Sequence, residues 1–165
     1  MITKDLLNKN RVLTMSNNRK CNYLVVDVGY STGSGNNSAS IIGINTQGKT
    51  KDILVLKEIP FNKTEDLVNE VYWTCKEFNI DIILADKQGF GIDFIDSFKS
   101  NIKSDDVNIR ELSILKIDNY KAFINIKQDL ENGYLRFLQT PEMAINSYQK
   151  SFLGFTNMMK FHQET

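Results

Sequence analysis

Tyr23–Val28 carries Leu24, Val25 and Val26 in an unbroken apolar run, the pattern of a central strand covered on both faces. The run stops on an acid, Asp27, and passes into a turn rich in Gly, Ser and Asn. Ser38–Asn45 is a second apolar run, and Gln47-Gly48-Lys49 turns the chain into a third, Asp52–Ile59, so a three-strand meander is predicted. Pro60 ends that strand, and Asn62 with Glu65 reads as a capping pair opening a helix. Leu67, Val68, Val71, Tyr72, Cys75 and Phe78 then recur at helical spacing. Ile80–Ala85 is another buried-type strand, and it too runs into an acid, Asp86, followed by Lys-Gln-Gly-Phe-Gly.

From Ile92 onward, Ile95, Phe98 and Ile102 mark a second helix, and Asn108–Leu115 suits a fifth strand. Helical sequence over Tyr120–Asn132 closes at Gly133, and Pro141 opens a stretch to the C-terminus with Met143, Tyr148, Phe152, Phe155, Met158 and Met159 on an apolar stripe that suits core or docking. This order predicts an α/β fold: a mixed five-stranded sheet, three antiparallel strands followed by parallel additions, flanked by helices. Residues 1–20 are polar and aperiodic and read as a leader or linker end, leaving 21–165 as one domain.

The two acids change the picture. A right-handed crossover helix lets the Ile80–Ala85 strand lie parallel beside Tyr23–Val28, and neighbouring strands are about 4.8 Å apart. Asp27 and Asp86 would then meet at the carboxyl ends of both strands, where open α/β sheets place their ligands. Two carboxylates so close repel unless a cation lies between them. Magnesium or manganese, which prefer oxygen ligands, would fit, and two such ions stabilise the attacking and leaving oxygens of phosphodiester cleavage. Asp27 would bridge the ions, Asp86 would hold one of them, and a metal-bound water would attack. Gly89 and Gly91 let the backbone after Asp86 turn sharply beside a nucleic-acid strand. The plainer alternative is that each Asp is a turn or cap residue. Asp93 and Asp96 suit the first turn of the second helix, and His162 suits a surface.

Composition narrows the class. With 165 residues, 41% apolar and 24% charged, the chain suits one folded globular domain. No apolar run spans a bilayer and no signal-peptide block opens the chain, so the expected location is intracellular. Lys plus Arg equals Asp plus Glu at 20 each, so no general field attracts a polyanion, and capture of DNA would fall to a partner. Cys21 and Cys75 share no metal or redox spacing and read as reduced structural thiols. Asn36-Asn37-Ser38 and Asn62-Lys63-Thr64 match the glycosylation pattern only by chance, absent a secretory signal.

Three segments, YLVVDVGYSTGSGNNSASIIGI, DIILADKQGFGIDFIDSF and AFINIKQDLENGYLRF, resemble the C-terminal nuclease domain of phage terminase large subunits, which has the ribonuclease H-like fold. The resemblance covers most of residues 22–138 and implies metal-dependent endonucleolytic cutting of concatemeric viral DNA, with Asp27 and Asp86 carried over as metal ligands. It also implies double-stranded DNA, a packaging ATPase and a portal as partners. The chain has no GxxxxGK[ST] loop, so the ATPase of that family is absent from it. The family's third metal-binding acid on a late helix has no good match, since Glu164 is the sole acid after Asn146. Truncation before that ligand would explain the gap and would weaken the second ion. Alternative readings are a catalytically incomplete docking domain of the motor, an actin-like or sugar-kinase-like nucleotide-binding lobe, and a junction resolvase.

Overall fold

The computed structural model describes residues 2–13, 20–30, 37–89, 91–113 and 116–139. In chain order these form α1 (Lys4–Lys9), β1 (Arg11–Leu13), β2 (Tyr23–Tyr30), β3 (Asn37–Gln47), β4 (Thr50–Phe61), α2 (Thr64–Glu77), β5 (Ile82–Asp86), α3 (Gly91–Asn101), β6 (Asn108–Leu112), α4 (Lys116–Glu131) and β7 (Leu135–Gln139). The strands make one sheet in the order β1-β7-β4-β3-β2-β5-β6. β2, β3 and β4 are the predicted antiparallel meander, and β5 and β6 add in parallel beyond β2. β7 runs parallel between β4 and β1.

Seven strands replace the expected five. β1 is three residues long, too short to show a period, and it follows α1, whose first turn is capped by the Thr3 hydroxyl accepting from the Leu6 N–H at 3.2 Å. Residues 4–13 are therefore ordered elements where polar composition suggested a leader. β7 hides behind the helix stop at Gly133, yet its Leu135 and Phe137 alternate inward, the spacing of a strand. Asn10, 5% exposed, donates to the Leu6 and Leu130 carbonyls at 2.8 and 3.0 Å and so joins α1 to the end of α4.

Other local differences have plain causes. β4 runs through Pro60 to Phe61 because it pairs with β7 only over Lys51–Ile53, and the outer edge at Pro60 asks for no N–H donor. α2 begins after Lys63 with no side-chain cap, so the Asn62–Glu65 pair does not form a capping box. Leu54 is an extra residue between the Gly43–Val55 and Ile44–Ile53 pairs, a bulge that lets Gly43 sit against Val55 and Cys21. Pro141, the stripe from Met143 to Met159, His162 and Glu164 lie outside the described residues.

Apolar side chains cover both faces of the sheet. On one face Leu24, Val26, Ile41 and Ile83 pack under Val71 of α2 and Phe94 and Phe98 of α3. On the other, Ile53, Leu56 and Phe137 pack with Leu7 of α1 and Leu130 of α4. Lys51 meets Asp129 of α4 at 2.6 Å and ties this second layer to the sheet, while Arg136 and Asp52, cross-strand partners alternating with Phe137 and Ile53, join β7 to β4 in a bidentate pair at 2.7 and 2.9 Å. No helix among the described residues is long and apolar enough to cross a membrane.

Two predictions follow from the first layer. Cys21 and Cys75 are both fully buried, and desolvation pushes both thiols up to about 12. Because only the thiolate is nucleophilic, a thiol-reactive disulfide at pH 8 is expected to label neither residue in the native protein and both in denaturant. Rapid native labelling of either one contradicts the packing. On the flank of α2, Asp106 accepts from Lys76 Nζ and from the Tyr72 hydroxyl, and these bonds, that from Lys76 first, hold its carboxyl below the ordinary range. Its stabilising contribution is therefore complete above the unfolded carboxyl pKa and is lost as pH falls through the depressed folded value. Asp106→Asn is expected to flatten the acid limb of a stability–pH curve measured by urea unfolding, with little change in the slope near neutrality.

Candidate active site

β2 and β5 are parallel neighbours in register Leu24–Ile83, Val25–Leu84 and Val26–Ala85. Asp27 and Asp86 are the next residue on each strand. Val26 and Ala85, both 1% exposed, point into the α2/α3 layer. Side chains alternate along a strand, so both carboxylates leave the opposite face at the same level, from strands about 4.8 Å apart. Asp27 is exposed and Asp86 half-buried. The structure thus brings together the two residues singled out in the sequence, but only Asp86 ends its strand: β2 continues past Asp27 to Tyr30 because β3 goes on pairing with it, so Asp27 lies inside β2, one residue beyond its pairing with β5.

Asp86 is held firmly. β5 pairs with β6 as far as Asp86–Leu112, and the Lys87 N–H donates to the Leu112 carbonyl at 3.0 Å, extending the ladder past the acid. Asp86 Oδ1 accepts from the Gln88 N–H at 3.1 Å, closing a short turn that orients the carboxylate. Gly89 then adopts φ +60°, and α3 starts at Gly91. A Cβ on Gly91 would lie 1.8 Å from the Asp86 carbonyl oxygen, so the helix start touches the acid's own backbone. The absence of a side chain at Gly91 is what lets α3 start against the backbone of Asp86.

Alternation reveals two further residues on the carboxylate face. Ser40 of β3 is the register partner of Asp27, and its neighbours Ala39 and Ile41 are buried on the other side. Arg110 of β6 pairs with Leu84, two residues before Asp86, and is exposed. The inward residues Ala39 and Ile41 mark Ser40 as outward in sequence, whereas Arg110 needs the β5–β6 register to be found. Asp93 and Asp96 are exposed on α3, Asp93 in its first turn.

The donor set suits a hard cation: two carboxylates with oxygen ligands side by side. Among the described residues no group of three His, Cys, Asp or Glu side chains comes together, so these supply two acids and no third.

No family model matches the sequence, and no curated protein matches it. Solved structures do. The manganese-soaked terminase nuclease domain of human cytomegalovirus aligns with a TM-score of 0.57 at 9% identity, over 96% of this chain and 89% of that one. The same viral domain in another structure gives 0.54 at 12% identity, over 86% and 80%. The large terminase of bacteriophage HK97 gives 0.54 at 12% identity, with 82% of this chain covering 33% of that protein. The expected α/β, ribonuclease H-like class therefore stands, with seven strands instead of five, and the chain has the fold of terminase nuclease domains.

Proposed function

We propose that this chain is the DNA endonuclease domain of a viral genome-packaging terminase, cutting concatemeric double-stranded DNA in the host cytoplasm with divalent metal ions held by Asp27 and Asp86. The observation that carries the reading is the pairing of these acids: one step beyond Val26–Ala85, on one face, in a fold shared with terminase nuclease domains. Asp27 and Asp86 would hold a magnesium or manganese ion, which would supply Lewis-acid charge for hydrolysis of the phosphodiester, and a second ion would complete a two-metal centre. The protein's part is positional. Asp27 and Asp86 present their oxygens at one level, the Gln88 N–H fixes one oxygen of Asp86, and Gly91 braces the turn from behind. Positive and negative charges balance in the chain, so long-range capture of DNA would fall to a partner, for which the terminase reading suggests a packaging ATPase and a portal.

The test is nicking of supercoiled plasmid by the purified chain in manganese, in magnesium and in EDTA. Slow cleavage that requires either metal supports the reading. Metal-independent cleavage, or none at any metal concentration or protein excess, removes it.

A further inference from the structure

We propose that Arg110 is a phosphate-contacting residue of the same site, gripping the DNA backbone beside the scissile position; the inference rests on the nuclease reading above. β6 pairs with β5 in the register Leu84–Arg110 and Asp86–Leu112, and the residues just before Arg110 and Asp86, Ile109 and Ala85, are buried in the α2/α3 layer. Arg110 therefore stands on the same face of the sheet as Asp27 and Asp86. It is one strand across from Asp86 and two residues back, about 4.8 Å in one direction and about 6.6 Å in the other. A nucleic-acid strand advances about 3.4 Å per nucleotide along a duplex axis. That offset places the guanidinium opposite a phosphate one or two nucleotides from the one facing the acids.

The state of Arg110 sets it apart. Arg136 is locked in a bidentate pair with Asp52, and Lys99 takes the carboxylate of Glu111, the residue next to Arg110. No hydrogen bond or ion pair engages the Arg110 side chain among the described residues. An exposed guanidinium with no anion among the described residues, next to an acid already paired with another cation, suits an external one. A planar fork of donors matches phosphate oxygens better than a lysine ammonium does. It also offsets two carboxylates that would otherwise repel the backbone whenever metal is scarce.

The test separates binding from cutting. Anisotropy of a labelled 20-bp duplex is followed in EDTA across a KCl series for the parent chain, Arg110→Gln, Arg110→Lys and Asp86→Asn. Arg110→Gln is expected to weaken binding about fivefold at the lowest salt and to reduce the slope of log affinity against log salt by about one. Arg110→Lys keeps the slope and binds between the two, and Asp86→Asn binds at least as well as the parent. Equal affinity and slope for the parent and Arg110→Gln overturn the proposal, as does absence of duplex binding by the parent throughout the series. If Arg110→Gln shows its effect while the parent never cleaves plasmid, the nuclease reading alone fails. If the parent cleaves with metal while Arg110→Gln binds normally, only the role of Arg110 fails.

Discussion

Asp27→Asn and Asp86→Asn are each expected to lower metal-dependent plasmid nicking by at least about a hundredfold, the scale seen when a preorganised charge-stabilising group is removed. Both proteins are expected to fold. Asp27 is exposed and Asp86 only half-buried, so the amide replaces the carboxylate without emptying the core. Asparagine keeps an oxygen that can accept the Gln88 N–H, which leaves the turn after β5 in place. Loss of activity with an unchanged thermal midpoint therefore isolates charge from architecture. A sensitive accompaniment is the thermal shift expected with manganese: the parent is expected to gain stability with added ion through mass action, and either variant to gain less. Full nicking by both variants, with the parent's manganese shift intact, takes the acids out of the mechanism.

Gly91→Ala is the second change with a large effect, and its cause is steric. The new methyl group would stand 1.8 Å from the Asp86 carbonyl oxygen, a backbone atom already set in the sheet. Either α3 moves off β5 or the end of β5 bends. Phe94, Ile95 and Phe98 anchor α3 in the core, so both responses are expensive. A destabilisation of about 3 kcal/mol is expected, which at roughly 3 °C per kcal/mol lowers Tm by about 9 °C for a domain of this size. Activity is expected to fall further than folding alone explains, because the strained atom belongs to Asp86. Gly89→Ala is the comparison: its φ of +60° disfavours alanine, yet nothing lies within 4 Å of the added carbon. It is expected to cost about 1 kcal/mol. Calorimetry on both variants decides the matter, and a Gly91→Ala protein as stable as the parent would mean that α3 is not braced on Asp86.

The meander and the parallel addition of β5 were legible because their signals are local and redundant. Leu24-Val25-Val26 and Ile82-Ile83-Leu84 are runs that suit only strands apolar on both sides, and the helix between them shows its period plainly. Handedness of the crossover then made the two acids neighbours. What escaped the sequence depends on distant partners. β1 is three residues whose identity as a strand comes from pairing Arg11–Phe137, Val12–Leu138 and Leu13–Gln139. The continuation of β4 through Pro60 depends on an unpaired edge, which no local pattern announces. Arg110 reads as an ordinary polar residue in an alternating strand until the register shows which acid lies on its face. Capping was misread for the opposite reason: Asn62 and Glu65 have the right spacing, but the chain remains extended through Lys63, so the pair is out of place by one residue.

The position of β7 governs how the polypeptide is born. It separates β1 from β4, so among the described strands β1 has no neighbour until residues as late as Gln139 have left the ribosome. The hairpins of β2, β3 and β4 join segments close in sequence and are free to zip during synthesis, whereas β1 waits for nearly the whole of the described chain. A nascent chain halted before Leu135 therefore leaves β1 without the strand it pairs with among the described residues.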